Sequence, residues 1–346
     1  MRKIYAAIIA CLLALSLLAT ACSGQNNGTS SSATSTGDPA AAAAATPPKA
    51  APSQQPQTSP AAQFAGSGAT SAGDPSAPPP QDTPAIHPSP KFDASRKITV
   101  VTREEGSGTR DAVRDLFNIK DADGKENVTP EAVVQDSTGN LMASVANDPY
   151  AVGYCSLASL NATVKAVDID GIAATTANVR NGSYKIQRPF FLATLGEADG
   201  LAKDFIEFIL SSEGQSAATK RCIPIDDGAP PYAGSAPSGR IVVGGSSSVA
   251  PVMEDLIAAY GKINPNAVVE LQVSDSSKGM SDAKSGIYDI GMASRKLKDA
   301  ETGDGLVPIQ IAIDGIAVIV NTANPTTSMT SEQVRSIYNG ETVRWN

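Results

Sequence analysis

Residues 97–346 carry a regular alternation of strand and helix signals, and this pattern restricts the fold more than any other feature of the chain. Short β-branched runs are followed by stretches of helical periodicity, often through glycine- or serine-rich junctions. Such alternation predicts an α/β architecture with largely parallel sheets. In these sheets ligands bind beyond the carboxyl ends of strands, where helices begin. The clearest predicted strands are Ile98–Thr102, Ala151–Cys155, Phe190–Thr194, Arg240–Val243, Val268–Val273, Pro308–Ile313 and Ile316–Asn321, and the clearest predicted helices are Gly108–Phe117, Gly139–Ala146, Pro251–Ile263, Ser277–Ser285 and Ser331–Tyr338.

The first residues indicate export. A charged start precedes the apolar run Ile4–Leu18, which is too short for a comfortable membrane span, and small residues follow it. This arrangement predicts a secretory signal peptide over residues 1–21. Cys22 resembles the cysteine of a bacterial lipobox, which is diacylated with lipid such as palmitate, although Ala19 stands where the lipobox usually has leucine. The resemblance implies a lipoprotein at the outer face of the cell membrane. The alternative is an ordinary signal peptide with an incidental cysteine.

The segment after the signal peptide is predicted to be a disordered tether over residues 22–96. It consists mainly of alanine, proline, serine, threonine, glycine and glutamine, with few apolar residues. Such a stretch cannot bury enough surface to offset the entropy lost on ordering, and it is semi-extended where proline is dense. The only histidine of the chain, His87, lies in this tether.

The remaining residues 97–346 are numerous enough for one large domain or for two lobes with their own cores. The formal charge of −8 becomes −10 when the two cations Arg2 and Lys3 leave with the signal peptide. An acidic chain argues against nucleic acid as a partner. It does not argue against a small anion, because anion sites are built from local dipoles and one or two cations.

Two cysteines, Cys155 and Cys222, remain in the folded part, which the signal peptide directs to an oxidising compartment. Such compartments permit a disulfide between them. Two buried free thiols are an equal alternative, because the sequence does not give their distance.

The first strand-to-helix junction, Thr102–Arg110, has the composition of an anion site. Its glycines allow close backbone approach, Ser107 and Thr109 offer hydroxyls, and the following helix offers free N–H groups and a positive dipole end. Arg103 can make a two-pronged, charge-assisted contact with an oxyanion. The alternative is a well-capped helix with surface charges.

Two later junctions, Gly244–Pro251 and Ser274–Gly279, share this hydroxyl-rich character. In the first, Ser248 is expected to cap the helix and Pro251 suits its first turn. Taken singly, each junction is typical of ordinary helix capping. Three such helix starts in one α/β chain, one of them with an arginine, favour convergence on an anion.

Catalysis has little support in the sequence. With the only histidine in the tether, the folded part has no Ser-His or Cys-His pair. The glycine-rich turns lack the Gly-Lys-Ser/Thr ending of a nucleotide-binding loop, and no cluster has metal-ligand spacing. Glu104 and Glu105 could form a carboxylate pair, but adjacent acidic residues before a glycine are more often exposed. No enzyme activity, cofactor or metal is therefore expected.

Several separate motifs resemble the PstS family, the phosphate-binding proteins of ABC-type phosphate importers. The resemblance extends over nearly all of residues 97–346 and is specific because the motifs agree with one another. They are Val100–Arg110, Ala151–Tyr154, Gly245–Pro251, Asp289–Arg295 and Asp314–Asn321.

The resemblance implies a two-lobed, hinged α/β clamp like the type II periplasmic binding proteins. Closure of the lobes would capture inorganic phosphate, and the loaded monomer would deliver it to the permease and ATPase of the importer. Some members carry an aspartate at the position of Ser294, where it accepts a proton from phosphate, so a serine weakens discrimination against sulfate. The implied phosphate contacts are Arg103, Ser107, Gly108, Thr109, Ser248, Val249 through its N–H, Ser276 and Ser294.

The order of the motifs differs from that of the family, in which the segment resembling 240–346 comes first and the one resembling 97–225 second. This exchange predicts a circular permutation in which Asp226–Gly239 joins the two usual termini, a change that compact domains tolerate. One lobe would then comprise about 189–225 plus 240–321, and the other about 97–188 plus 322–346. The alternative is a fragment of a longer tandem protein, whose halves could pair between molecules.

Three other functions are alternatives to this one. A binding protein for another oxyanion, such as sulfate or molybdate, would use the same kind of site. A sensory module could report phosphate without transporting it. An enzyme acting on phosphate esters is disfavoured by the missing histidine, metal cluster and nucleotide-binding loop.

Overall fold

The structure, a computed structural model, describes residues 91–346. The expected signal peptide, Cys22, His87 and most of the expected tether lie outside these residues. The strands are β1 (Thr99–Arg103), β2 (Val133–Gln135), β3 (Ala151–Ser156), β4 (Val164–Ala166), β5 (Asp168–Ile169), β6 (Gln187–Leu195), β7 (Ile223–Pro224), β8 (Gly239–Ser246), β9 (Ala267–Ser274), β10 (Ile290–Ala293), β11 (Leu306–Asn321) and β12 (Ser328–Met329). The helices are α1 (Gly108–Leu116), α2 (Thr138–Asn147), α3 (Thr176–Arg180), α4 (Gly200–Leu210), α5 (Ser212–Ala218), α6 (Ala250–Ile263), α7 (Ser276–Lys284), α8 (Asp299–Gly303) and α9 (Ser331–Tyr338), with a 3-10 turn at Leu157–Ser159.

The strands form one curled sheet in the order β2-β1-β3-β11-β6-β10-β8-β9, with β4 and β7 also pairing with β11. Both ends of this order are parallel, as the βαβ alternation predicts. The centre is antiparallel, because β11 runs against β3 and β6, and β6 runs against β10. The expectation of largely parallel sheets is therefore wrong for the middle of the molecule. The two strands expected over 308–313 and 316–321 are one continuous strand.

Two hydrophobic cores lie on either side of this antiparallel centre. The first packs β1, β3, α2 and α9 together around residues such as Val101, Leu141 and Val334. The second packs α4, α6, β8 and β10 around residues such as Phe205, Leu256 and Ile290. Each core buries apolar side chains of its own, so the α/β clamp has two lobes.

The chain passes between the two cores along β6 and β11, in opposite directions, which explains why these strands pair antiparallel. Ile186, directly before β6, belongs with the first core, and Phe190 on β6 belongs with the second. On β11, Ala312 belongs with the second core and Ile316 with the first. The two cores thus meet along β11 between residues 312 and 316, and the lobe boundary expected at residue 321 stays a prediction. β11 is long enough to serve both lobes.

The two ends of the described segment meet in the first lobe. The Ile98 amide donates to the Val343 carbonyl at 2.9 Å, and Lys97 pairs antiparallel with Arg344. Phe92 packs edge-on against Trp345, with ring centroids 6.1 Å apart. The packed domain thus includes residues before 97, where the tether was expected to continue, because an aromatic side chain there finds apolar partners.

Cys155 and Cys222 are both buried and free. Of the two alternatives that the sequence left open, the structure has the buried thiols. Burial raises the pKa of each thiol above its ordinary value, which favours the unreactive protonated form. None of the helices within residues 91–346 has the length and apolar character that crossing a membrane requires.

The segment between β7 and β8 returns the chain to the second lobe and is held there by Asp204 of α4. The Asp204 carboxylate accepts hydrogen bonds from the Tyr232 hydroxyl, the Tyr260 hydroxyl at 2.6 Å and the Ser235 amide at 2.8 Å. Burial raises the pKa of Asp204, but these donors outweigh it and hold the pKa below the ordinary 3.8. The linker is therefore an ordered part of the lobe.

We expect Asp204→Asn to lower the free energy of unfolding by about 1–3 kcal/mol, because an amide cannot accept from all three donors as a carboxylate does. A depressed pKa contributes stability above the unfolded value that is lost as the pH falls through the folded value. The deficit should therefore be full at pH 7 and shrink as the pH falls below 3.8. Urea unfolding at several pH values measures it. Asp199→Asn, an exposed residue beside the same helix that makes no side-chain capping bond, is the control. Equal stability of wild type and Asp204→Asn at pH 7 would contradict the assignment.

Candidate functional site

The loop after β1 brings the first group of polar residues to the junction of the two lobes. Gly106 has φ +92°, and a Cβ there would lie 2.7 Å from the Asp275 carboxylate of the other lobe. Ser107 caps α1 by accepting from the Arg110 amide at 3.3 Å. Thr109 follows in the first turn of α1, and both hydroxyl residues are buried. The glycine is required because the backbone turns sharply against the second lobe.

Ser248 faces this loop from the second lobe. Its Oγ lies 2.8 Å from Thr109 Oγ1 and 3.0 Å from Thr138 Oγ1, and its side chain is fully buried. The sequence predicted Ser248 as the cap of the following helix. That prediction is wrong: Val249 occupies the cap position of α6 and makes no side-chain bond, while Ser248 points across to the other lobe.

The Val249 amide donates to the Ser246 carbonyl at 3.0 Å. The sequence expected this N–H to face an anion. In this structure it closes the turn before α6, so its contact with an anion stays a prediction.

Ser276 and Ser294 form a pair beside α1. The Ser294 amide donates to Ser276 Oγ at 3.0 Å, and the two hydroxyl oxygens are 3.4 Å apart. A Cβ at Gly108 would lie 2.7 Å from Ser276 Oγ and 2.8 Å from Ser294 Oγ. Gly108 is therefore the point at which the backbone of the first lobe closes on the hydroxyls of the second.

Arg103 reaches the same place from the end of β1. Its Nε and Nη2 donate to the Glu104 carboxylate at 2.7 and 2.6 Å, and its Nη1 donates to Thr138 Oγ1 at 2.9 Å. Only 3% of the side chain is exposed. The Glu104 pair holds the guanidinium in one orientation, so that one nitrogen is left to face the hydroxyls.

Contacts across one junction between the lobes thus join most of the positions that the sequence selected, namely Arg103, Gly108, Thr109, Ser248, Ser276 and Ser294. Helices α1, α2, α6 and α7 begin beside these residues, so their positive dipole ends are gathered in one place. The buried hydroxyls and the Arg103 guanidinium add further donors. Such a site is complementary to a small anion with several oxygens. No group of three or more His, Cys, Asp or Glu within residues 91–346 is placed to hold a metal ion.

Two polar residues of the site, Thr138 and Arg188, escaped the sequence analysis, and Ser247 lay in the junction Gly244–Pro251 without an assigned contact. Thr138 and Ser247 bond to each other, since the Thr138 amide donates to Ser247 Oγ at 3.2 Å. Thr138 could have been found, because it begins α2 directly after β2, as the other site residues follow their strands. Arg188 had no such signal: it lies on β6, away from any helix start, and its Nη1 donates to Ser294 Oγ at 3.2 Å.

Arg188 is paired with Asp314, and both side chains are almost completely buried. Burial raises the pKa of Asp314 to about 6, although attraction to Arg188 acts in the opposite direction. Burial also lowers the pKa of Arg188, and Asp314 opposes that shift. The pair places a second guanidinium at the edge of the site.

Comparison with known proteins agrees with this architecture. A family model described as a PBP superfamily domain matches residues 86–213 and 230–346. A phosphate-binding protein PstS 2 from Streptococcus agalactiae is 45% identical over 254 residues, covering 72% of this chain and 86% of the relative. The chain belongs to the PstS family. A PstS 2 protein from Streptococcus pneumoniae is 38% identical over 259 residues, covering 74% of this chain and 89% of the relative.

A solved PstS-family structure shows the same fold. The crystal structure of a phosphate-binding protein of a phosphate ABC transporter from S. pneumoniae aligns with a TM-score of 0.57 at 37% identity. The alignment covers 72% of this chain and 98% of the other. The resemblance to PstS and the periplasmic-binding-protein fold, both expected from the motifs, are confirmed. This is a family of substrate-binding proteins and not of enzymes.

We expect Gly108→Ala to force the lobes apart at the site, because the added methyl group meets two buried hydroxyls below van der Waals distance. The Ser277 amide reports on this contact, since it donates to the Gly106 carbonyl at 3.1 Å across the junction. Its hydrogen exchange should become faster in Gly108→Ala. Gly261→Ala is the control, because a Cβ at that position of α6 meets nothing within 4 Å. Unchanged protection of Ser277 in Gly108→Ala would show that the two lobes do not close at Gly108.

Proposed function

We propose that this protein is an extracytoplasmic solute-binding protein that captures inorganic phosphate and delivers it to an ABC importer. The observation that carries the proposal is the convergence of four helix starts, buried hydroxyls and Arg103 at one junction between two lobes. Family members with 38–45% identity are named phosphate-binding proteins. A relative with the same fold is a component of a phosphate ABC transporter.

The chemistry of the site suits a tetrahedral oxyanion. A buried anion loses its hydration, and only several fixed donors can offset that loss. We assign the donor role to Arg103, to the hydroxyls of Ser107, Thr109, Ser248, Ser276 and Ser294, and to the backbone at Gly108 and Val249. The residues come from both lobes, so the anion would stabilise the closed clamp over an open one.

The pairs Thr109–Ser248 and Thr138–Ser248 bond directly across the junction at 2.8 and 3.0 Å. An anion bound between the lobes would replace these hydroxyl–hydroxyl bonds with hydroxyl–oxyanion bonds. Bonds to a charged acceptor are stronger than bonds between neutral hydroxyls. This exchange supports anion-driven closure.

Ser294 bears on which oxyanion the site prefers. A serine there cannot take a proton from phosphate as fully as an aspartate does, so sulfate or molybdate remains the alternative ligand. A phosphate sensor without transport would carry the same site. Loss of phosphate uptake when the gene is removed supports the transport role, and normal uptake with an altered phosphate response supports the sensor.

Export and anchoring follow from the first residues of the sequence. We propose that residues 1–21 are removed, that Cys22 is lipidated, and that residues from 22 to about 90 tether the binding domain to the outer face of the cell membrane. The domain would act as a monomer that meets the permease and ATPase subunits of the importer. The tether length leaves it free to reach them.

We also propose that the chain is circularly permuted relative to the family order described above, an arrangement that it would share with the PstS 2 relatives that it matches over 86% and 89% of their length. The contact of Ile98 with Val343 supports this, since the two ends of the domain adjoin at the position where the usual order would be continuous. The ordered linker around Tyr232 and Ser235, bonded to Asp204, supports it at the other junction. A fragment of a tandem protein would instead leave halves that pair between molecules.

We expect Cys22→Ser to release the protein from the membrane, because the acylated thiol is the proposed anchor. Labelled palmitate should enter the wild-type chain and not the variant, and the variant should appear in the soluble extracytoplasmic fraction. Cys222→Ser is the control, since that buried thiol lies in the folded domain. Membrane retention and labelling of Cys22→Ser would show that another feature anchors the chain.

The ligand is tested by calorimetric titration of the protein with phosphate, sulfate and molybdate. Phosphate should bind most tightly. Arg103→Ala should weaken phosphate binding by at least ~2 kcal/mol, because a buried charge-assisted partner is lost. Arg180→Ala is the control, since Arg180 is exposed and pairs with the exposed Asp227, and neither residue belongs to the site.

Tighter binding of sulfate or molybdate would replace phosphate as the ligand and leave the site intact. Unchanged phosphate affinity in Arg103→Ala would remove Arg103 from the site. Absence of binding to all three anions would contradict the proposed function.

A further inference from the structure

We propose that Arg188 is a positioning residue that orients Ser294 as a hydrogen-bond donor to the bound anion and links the anion site to the hinge. This inference rests on the proposed function and extends it to a residue that the motifs did not identify. It is carried by the contacts of Arg188, Asp314 and the strands that hold them.

The contacts of Arg188 repeat those of Arg103 on the opposite side of the site. Arg103 uses Nε and Nη2 for the Glu104 carboxylate and Nη1 for Thr138 Oγ1. Arg188 uses Nε and Nη2 for Asp314 Oδ2, at 3.4 and 3.2 Å, and Nη1 for Ser294 Oγ, at 3.2 Å. Each guanidinium is thus held by one carboxylate and leaves one nitrogen for a hydroxyl of the site.

This contact determines what Ser294 can do. Arg188 has no acceptor atom, so Ser294 Oγ must accept from it, and the serine proton is left to donate elsewhere. Ser276 Oγ likewise accepts from the Ser294 amide. Both oxygens thus accept from fixed donors, so each serine keeps a hydroxyl proton, which it can donate to the other serine across 3.4 Å or to a deprotonated phosphate oxygen.

Asp314 ties this arrangement to the hinge. Arg188 on β6 and Asp314 on β11 are direct partners in the antiparallel ladder, at the point where both strands pass between the two cores. The other carboxylate oxygen, Asp314 Oδ1, accepts from Ser156 Oγ at 2.8 Å and from the Ala158 amide at 3.4 Å. One carboxylate thus joins both crossing strands and the turn after β3.

A purely structural role is the competing explanation, because Arg188 also neutralises a buried carboxylate. Breaking a buried pair by removing one partner destabilises a protein, whereas removing both charges together is often tolerated. The two explanations therefore differ in the behaviour of a double variant. If Arg188 serves only Asp314, removing both charges restores the site; if it serves Ser294, the site remains impaired.

The experiment measures phosphate affinity by calorimetry on the exported protein, with folding checked by circular dichroism. Arg188→Met and Arg188→Met/Asp314→Asn should both bind phosphate at least about tenfold more weakly than wild type, because a charge-assisted bond at the site is lost. Arg188→Lys should recover part of the loss. Arg221→Met is the matched control, since Arg221 also pairs with a carboxylate, Asp255, and bonds the Ala158 carbonyl without touching the site.

A second measurement separates positioning from independent action. Ser294→Ala and Arg188→Met should be non-additive in a double-mutant cycle, because Arg188 acts through Ser294. Wild-type affinity in Arg188→Met/Asp314→Asn, or full additivity with Ser294→Ala, would overturn this inference while leaving the proposed function in place. Absence of phosphate binding to the wild-type protein would overturn both.

Discussion

The antiparallel pairing of β6 with β11 is the constraint on which the rest of the molecule depends. These strands carry the chain between two hydrophobic cores, so their ladder fixes where one lobe stands relative to the other. A two-strand connection resists separation of the lobes but allows bending, which is the property of a hinge. The buried pair of Arg188 and Asp314 lies within this ladder. Buried pairs contribute little net stability, but they penalise any arrangement that leaves either charge alone.

The site follows from that constraint. With the lobes held in register, the starts of four helices lie at one junction, and the buried hydroxyls there must find hydrogen-bond partners. In this structure they find one another, as Thr109 and Thr138 do with Ser248. An oxyanion can replace such contacts with stronger ones, because each oxygen accepts several bonds. Closure of the lobes and binding of the anion would then both result from replacing hydroxyl–hydroxyl bonds with hydroxyl–oxyanion bonds.

Much of this could be predicted from the sequence, because local signals dominate at strand-to-helix junctions. The bounds of α9 were predicted to the residue, and those of α6, α7 and β9 to within one residue. Thr138 lay within reach of the same reasoning. The antiparallel centre was not predicted, since a strand's direction depends on which lobe it comes from. The prediction that Ser248 caps α6 was wrong because the partners of Ser248 lie more than a hundred residues away in the chain.

The sequence by itself determined the α/β class, the membership of the PstS family, and the junction residues that bear hydroxyls, glycines and Arg103. Each of these is encoded in short segments of sequence whose chemistry does not depend on distant residues. Only the tertiary structure decided that Cys155 and Cys222 are free thiols, that one long strand serves both lobes, and that Arg188 reaches Ser294. Those outcomes depend on register and on contacts between distant residues, and no local pattern encodes the pairing of Arg188 with Asp314.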